Sequence, residues 1–193
     1  MGDEPLVRAS IPKSSWAEIV RSPAATKDKI IAVLGREFEG ELGAQLTVTW
    51  VPFRIEARIA DAVYQALGPA GTRAFYKAKT EKSFDIPWLR PLVTSSLRLF
   101  GATPNSLLKM LPRTWPTLSR NCGSYEFIDD GRAQRGVSII NGFPTSAYRR
   151  HEAWLDSIFG GYEAFFAPFR LQGSVAVDEV NVVAGHARFT LTW

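Results

Sequence analysis

Residues 124–142 read SYEFIDDGRAQRGVSIING, and this stretch decides the fold class of the chain. Two β-rich runs flank the turn signal DDG at 129–131, which is the pattern of a β-hairpin. A second such stretch, residues 173–193, reads GSVAVDEVNVVAGHARFTLTW and is predicted to turn at 184–185. Four strands without helices alternating between them favour an antiparallel sheet.

Outside the two hairpins, apolar residues recur at helical spacing. The clearest helix lies within VPFRIEARIADAVYQALGP, residues 51–69, where Gly68 and Pro69 give a strong stop signal. A basic helix is predicted directly after it, and an aromatic helix is predicted between the hairpins. We therefore expect an α+β fold: a helical N-terminal half, then hairpin, helix and hairpin forming a four-stranded antiparallel sheet packed against helices.

Two further predicted helices are marked by proline. Residues 85–101 are expected to form one helix that ends at Gly101. Residues 103–120 begin well for a helix, with Thr103 as the cap and a proline in the first turn. Pro112 and Pro116 are expected to divide this second helix into two short pieces, because proline removes a backbone hydrogen bond and clashes with the preceding turn.

Length and composition indicate one domain. A chain of 193 residues with 46% apolar content supports one well-buried core and is short for two. Residues 1–25 are expected to form an N-terminal arm, and residues 26–193 the domain.

The single cysteine, Cys122, excludes an internal disulfide and a multi-cysteine zinc site, so the chain suits a reducing compartment and is expected to be cytoplasmic.

Charge and hydropathy indicate which partners to expect. The net charge is +4, but the basic residues are dispersed among acidic ones, so no nucleic-acid partner is predicted. No run approaches the roughly 18 apolar residues of a membrane span, and none is predicted. A homodimer or a partner protein stays compatible with the sequence.

Four segments together resemble a known family. They are the helix of residues 49–69, the segment LLKMLPRTWPTLSRNCGSYEFIDDGRAQRGVSIINGFP, the helix HEAWLDSIFGGYEAFFA and the last strand HARFTLTW. Their order resembles the bacterial 4-vinyl reductase-like domains and a related myxobacterial family of unknown function. These families belong to the haem-nitric-oxide-binding and trafficking-particle-subunit superfamily. The resemblance covers roughly residues 45–193, and it implies a domain that encloses a small, mostly apolar ligand between helices and sheet.

The departures from these families concern the cofactor. Related 4-vinyl reductase-like domains often carry a cysteine pair in and before the final hairpin, whereas that region of this chain contains no cysteine, so zinc is disfavoured. The haem-binding relatives need an axial histidine on a helix and a Tyr-x-Ser-x-Arg motif. This chain lacks the motif and has only His151 and His186. We therefore expect haem to be disfavoured as well, and the cofactor to be unknown.

Seven residues are candidates for binding the ligand. In the resembled fold, several aromatic side chains lie on elements that line the space between helices and sheet, where an apolar cavity would suit a hydrophobic molecule. Tyr64 or Arg113 would supply a polar anchor. The candidate residues are Tyr64, Trp88, Arg113, Trp115, Trp154, Phe159 and Tyr162. For any one of the aromatic residues, a packing role in the core is the favoured interpretation.

Other reactive residues have simpler explanations. His186 lies on the outward face of its strand, and His151 belongs to an RRHE cluster that is either an anion site or a solvated helix end. Cys122 suits a packing role, because no histidine lies near it in the sequence. Asp129 and Asp130 are turn residues.

The sequence favours a binding protein over an enzyme. No nucleophile elbow, phosphate loop or dinucleotide fingerprint is present. We therefore expect a non-enzymatic binding, sensory or regulatory domain. The alternatives are a protein-interaction adaptor with a solid core and no ligand, and an enzyme acting on a porphyrin-like substrate.

The alternation in GHARFTLTW yields a test of the fold. Ala187, Phe189, Leu191 and Trp193 share one strand face and are expected to point into the core. Deleting residues 190–193 should therefore lower the melting temperature sharply. Unchanged thermal unfolding of the truncated protein would contradict this placement.

Overall fold

The computed structural model describes residues 4–35, 37–84, 94–95, 103–129, 131–132 and 134–193. The helices are α1 (Ser10–Arg21), α2 (Ala24–Leu34), α3 (Phe38–Gly43), α4 (Arg54–Ser83), α5 (Pro104–Leu118) and α6 (His151–Glu163). The strands are β1 (Leu6–Arg8), β2 (Trp50–Pro52), β3 (Ser119–Arg120), β4 (Ser124–Ile128), β5 (Arg135–Asn141), β6 (Ser174–Asn181) and β7 (His186–Thr192). Short 3₁₀ helices over Thr145–Ala147 and Ala164–Phe169 flank α6.

The predicted four-stranded antiparallel sheet is confirmed. Its strand order is β4-β5-β7-β6, so each predicted hairpin is present and the two are joined by pairing of β5 with β7. The second hairpin turns at Gly185, which has a φ of +61°. A Cβ at this position would also collide with the backbone of Phe143, so the turn requires glycine.

Strand β7 places its apolar face in the core, as the alternation predicts. Ala187, Phe189 and Leu191 are fully buried. Trp193 is half-buried, and its ring lies 6.4 Å from that of Phe166, measured between centroids. The opposite face carries His186, which is partly exposed.

The N-terminal segment belongs to the core, which corrects the expectation of an arm over residues 1–25. Strand β1 lies between β2 and β3 in a second, three-stranded sheet. Val7, Ala9 and Ile19 are fully buried and belong to the same apolar cluster as the main sheet. Strand pairing and burial together offset the entropy of ordering this segment, whose proline and serine content suggests a loose arm.

Helix α4 contains the predicted stop as a kink. Gly68 has a φ of +69°, outside the helical range, and Pro69 begins a new helical segment that continues to Ser83. The predicted basic helix is this second segment. The helix predicted for residues 85–101 lies outside the described residues, apart from residues 94–95, which are helical.

Helix α5 runs unbroken through Pro112 and Pro116, so the prediction of two short pieces was wrong. The two prolines are four residues apart and share a half-buried to exposed side of the helix. Pro116 removes the helical donor to the carbonyl of Pro112, and because Pro112 is only half-buried, water can hydrogen-bond that carbonyl. Leu107 and Leu108 are buried in the core and anchor the first half of the helix.

Helices α4 and α6 cross closely. A Cβ on Gly160 would collide with the backbone carbonyl of Arg73. The Arg73 guanidinium also forms an ion pair with Asp156 at 2.6 Å. At the start of α6, the Asp61 carboxylate accepts the backbone N–H groups of Arg149 and Arg150 at 2.8 and 3.2 Å. These contacts fix the axial position of α6 along α4.

No helix in the described ranges is both long and apolar enough to cross a membrane.

Replacing Gly160 with alanine tests the helix crossing. Because the new methyl group would meet backbone, we expect Gly160→Ala to lower the free energy of unfolding by about 1–3 kcal/mol in urea or thermal melts. Gly161→Ala is the matched control, since the nearest atom to its Cβ is Thr80 Oγ1 at 3.7 Å. The control should gain up to about 1 kcal/mol from helix propensity. Equal stability of the two variants would refute the close crossing.

Candidate functional site

A cavity of about 210 Å³ lies between the helices and the start of the main sheet. Its walls come from α1, α4, α5, α6 and β4, with the loop that precedes α6 closing one side. We call it the inner cavity. Its lining residues are Ile11, Phe53, Glu56, Tyr76, Lys79, Thr80, Leu111, Trp115, Tyr125, Phe143, Tyr148, Ser157, Ile158, Gly161, Tyr162 and Phe165.

Aromatic rings in mutual contact form most of the apolar wall. The Phe143 ring stacks with Trp115 and with Trp154, at 6.2 and 5.5 Å between ring centroids. Tyr125 meets Trp115 edge to face at 5.1 Å. Rings that hold one another in place present a flat, preformed surface to an apolar ligand.

The polar part of the wall is a buried carboxylate with three donors. The Ser15 hydroxyl donates to the Glu56 carboxylate, and its Oγ lies 2.8 and 2.9 Å from the two carboxylate oxygens. Lys79 Nζ donates at 2.8 Å and the Tyr76 hydroxyl at 3.3 Å. The Glu56 and Lys79 side chains are only 7% and 12% exposed, so this ion pair is largely withdrawn from water. We call Ser15, Glu56, Tyr76 and Lys79 the Glu56 cluster.

Four tyrosines around the cavity stay protonated at neutral pH. Burial is the largest cause that raises the pKa of Tyr76, Tyr125, Tyr148 and Tyr162. The negative charge of Glu56 raises the pKa of Tyr76 and Tyr148 further. The Tyr162 hydroxyl donates to Ser138 Oγ at 2.7 Å. These phenols therefore act as neutral hydrogen-bonding groups.

Two of the seven candidate ligand-binding residues line the inner cavity. They are Trp115, on α5, and Tyr162, on α6. Trp154 is fully buried behind Phe143, and among the described residues its Nε1 has no hydrogen-bond partner. The role of these residues in ligand binding stays a prediction.

The other candidates lie elsewhere or outside the described residues. Phe159 faces the Arg73 guanidinium, 4.0 Å from its ring centroid, and Tyr64 is half-buried at the core margin. Arg113 borders a separate surface depression beside Tyr125, and Trp88 lies outside the described residues. The structure therefore does not bring Arg113 or Tyr64 to the inner cavity as polar anchors.

The Glu56 cluster escaped the sequence analysis. Its members are 20 to 41 residues apart along the chain where they touch Glu56. No local motif marks them, since Glu56 and Lys79 resemble ordinary charged positions on an amphipathic helix. One weak indication of the cluster was present in the sequence. Glu56 and Lys79 lie on either side of the Gly68-Pro69 kink, and this kink lets the second helical segment of α4 turn back toward the first.

The remaining reactive groups have structural roles. Cys122 is buried, its Sγ contacts the carbonyls of Leu6 and Arg120, and burial raises its pKa to about 11, so the thiol is unreactive at neutral pH. His151 is exposed, and His186 hydrogen-bonds Asn141 at 2.8 Å. Asp129 accepts the backbone N–H of Gly131, as expected of a turn residue. Asp130, the other predicted turn residue, lies outside the described residues.

Two further findings concern ligands of other kinds. Among the residues that the structure describes, no group of three or more histidine, cysteine or acidic side chains is placed to hold a metal ion. The anion at the RRHE segment is the protein's own Asp61 carboxylate, which binds the backbone just before His151.

A double-mutant cycle tests the Glu56 cluster. Lys79→Met leaves the buried Glu56 carboxylate without its cation, so we expect the free energy of unfolding to fall by about 3–5 kcal/mol. Glu56→Gln combined with Lys79→Met should be more stable than Lys79→Met alone, because no buried charge remains. A double variant that is no more stable than Lys79→Met would contradict a direct ion pair.

Alkaline titration tests the burial of the phenols. The folded-state pKa of each of the four tyrosines lies above the value of about 10 in the unfolded chain. The four protons therefore stabilise the fold below pH about 10, and this contribution is lost as the pH rises through the folded-state values. Phenolate absorbance and near-UV circular dichroism should change together. More than one phenolate per chain before unfolding would contradict the prediction.

Comparison with solved structures identifies the fold. The Fe(II) unliganded H-NOX protein from K. algicida superposes with a TM-score of 0.61 at 10% identity, over 96% of this chain and 95% of that one. A point mutant of T. tengcongensis H-NOX superposes with a TM-score of 0.59 at 12% identity, over 94% of this chain and 92% of that one. A structure that probes haem distortion in the H-NOX family superposes with a TM-score of 0.60 at 14% identity, over 95% of this chain and 92% of that one. No family model matches the sequence, and no curated protein matches it.

These structures correct one expectation and confirm another. The expectation that haem is disfavoured was wrong, because the solved structures of the same fold are H-NOX proteins, studied for their iron and haem. That expectation depended on the small choice of histidines, His151 and His186, and on the absent Tyr-x-Ser-x-Arg motif, rather than on the fold. The narrower resemblance to 4-vinyl reductase-like domains stays a prediction. The expected architecture is confirmed, and this chain has the fold of the H-NOX domains.

Proposed function

We propose that this chain is a non-catalytic ligand-binding domain with a sensory or regulatory role, and that the inner cavity holds its ligand. The observation that carries the proposal is the cavity itself, which joins aromatic walls to one buried polar cluster. Mostly apolar cavities with a few fixed polar groups are the usual form of small-molecule sites. The shared H-NOX fold supports the same conclusion.

Haem is the first ligand to test, since H-NOX proteins share the fold. In the described lining, the donor atoms suited to a haem iron are the hydroxyl oxygens of Tyr76, Tyr125, Tyr148 and Tyr162. Tyrosine is an established axial ligand of haem iron. Burial raises the pKa of these phenols, so the ligating tyrosine would have to release its proton.

The cavity volume bears on the size of the ligand. Drug-sized ligands occupy pockets of about 300–1,000 Å³, whereas the inner cavity measures about 210 Å³. A molecule of one or two rings fits this volume, and a porphyrin requires the lining side chains to move outward. A bound haem would supply an iron that responds to a diatomic gas or an electron, and the protein would contribute the apolar enclosure.

The test is to identify what the purified protein retains. Native mass spectrometry, followed by denaturing extraction and an absorption spectrum, is expected to reveal a released small molecule. Titration of the apo-protein with haemin gives the second measurement. If haem binds through one phenol, replacing that tyrosine with phenylalanine should change the visible spectrum, and the other three replacements should not.

A cavity-filling variant provides the control. Leu111 is half-buried on the cavity wall, so Leu111→Trp should weaken ligand retention by at least about tenfold, equivalent to about 1.4 kcal/mol. Val183→Trp adds the same ring at a position that is 99% exposed and should leave retention unchanged. Equal retention in both variants would place the ligand outside the inner cavity and overturn the proposal.

An interaction adaptor is the second candidate, and β6 is the observation that favours it. This strand forms one edge of the main sheet, and Val177 and Val180 are exposed on it, with Val183 in the following turn. Exposed edges with apolar side chains pair readily with other chains. Sedimentation at several concentrations should show a dimer that Val180→Lys dissociates, and a monomer throughout would exclude self-association through β6.

A further inference from the structure

The inner cavity adjoins a second, polar depression, and one residue lies in the walls of both. This depression measures about 430 Å³ and lies between α1 and the second segment of α4. We call it the basic basin and define it by Ser14, Glu18, Arg21, Lys79, Lys82 and Ser83. Lys79 also lines the inner cavity, where it holds Glu56. The Lys79 side chain therefore lies at the boundary between the inner cavity and a depression lined mainly by polar and charged residues.

Positive charge is in excess at this boundary. Lys79 pairs with Glu56, and Lys82 pairs with Glu18 at 2.7 Å. Arg21 is exposed in the last turn of α1, and no described residue forms an ion pair with it. Three cations thus face two carboxylates, and both carboxylates are already bound. A third negative charge placed there would complete the pairing.

Hydrogen-bond donors are also in excess. An ammonium group carries three N–H donors, and Glu56 accepts one from Lys79 at 2.8 Å. The guanidinium of Arg21 presents donors alone, in a planar fork that matches a carboxylate. The chemistry of the boundary therefore selects an acceptor with a negative charge.

We propose that the ligand is an aromatic monocarboxylate, with its rings in the inner cavity and its carboxylate at Lys79, within the field of Arg21 and Lys82. This inference depends on the proposed function, because it assigns a chemical class to the ligand of the same cavity. The stacked rings of Trp115 and Phe143 favour an aromatic body over a flexible chain. The Glu56 charge does not repel the ligand, since Ser15, Tyr76 and Lys79 already bind that carboxylate.

The experiment compares two probes of one shape, 2-naphthoate and its neutral amide, by isothermal titration calorimetry. The unmodified protein should bind 2-naphthoate at least about tenfold more tightly than 2-naphthamide, and added salt should reduce the difference. The variant Arg21→Gln/Lys82→Gln should lose this preference and retain affinity for the amide. Lys77→Gln is the matched control, because Lys77 is exposed on α4 and does not line the basin.

The outcomes separate the two proposals. Binding of both probes with equal affinity overturns the carboxylate inference and leaves ligand binding in the inner cavity intact. If Lys77→Gln loses as much 2-naphthoate affinity as Arg21→Gln/Lys82→Gln does, the preference for the carboxylate depends only on the overall charge of the protein. That result overturns the inference. Undiminished 2-naphthoate binding in Leu111→Trp also overturns it, because the rings then lie outside the inner cavity. If neither probe binds, both the inference and a two-ring ligand for this cavity are wrong.

Discussion

Helices α4 and α6 cross at Gly160, whose missing side chain lets the backbone of α6 lie against the carbonyl of Arg73. Two carboxylates reinforce this crossing from opposite helices. Asp61 of α4 binds the backbone at the start of α6, and Asp156 of α6 pairs with Arg73 of α4. Because α6 cannot slide along α4, its next residues, from Gly161 onward, are held at a fixed distance from Tyr76 and Lys79. The inner cavity is the space that this distance leaves.

The Glu56 cluster shows how the cavity wall accommodates charge. A buried carboxylate is costly unless hydrogen bonds and an opposite charge compensate for lost hydration. Ser15 on α1 and Lys79 beyond the kink of α4 provide that compensation, so the cluster ties α1 to both segments of α4. The Lys79 side chain also lines the basic basin. One side chain thus serves the stability of the fold and the polarity of the cavity entrance.

Among proteins that share one fold, the residues that bind the ligand can change while the fold is kept. The H-NOX structures share only 10–14% of their residues with this chain, yet they superpose over more than nine-tenths of it. Core patterning and strand pairing maintain such a fold, whereas individual ligand-binding residues can change without disturbing it. The only histidine on a described helix, His151, is exposed and does not line the inner cavity, which restricts how an iron would be held. The position of His151 does not decide which fold is present or which ligand class deserves the first test.

Local sequence patterns were enough to predict several of the elements. Alternation predicted both hairpins and the buried face of β7, and the pair Gly68-Pro69 marked the break in α4, because these features depend on neighbours within a few residues. Tertiary structure decided the pairing of β5 with β7, the continuity of α5 through two prolines and the inclusion of residues 6–21 in the core. It also decided the site, where Trp115, Tyr162, Glu56 and Lys79 line one cavity. Tertiary contacts join residues far apart in the sequence, 89 positions for Asp61 and Arg150 and 116 for Leu6 and Cys122. No local pattern encodes them, since they form only when packing brings distant segments together.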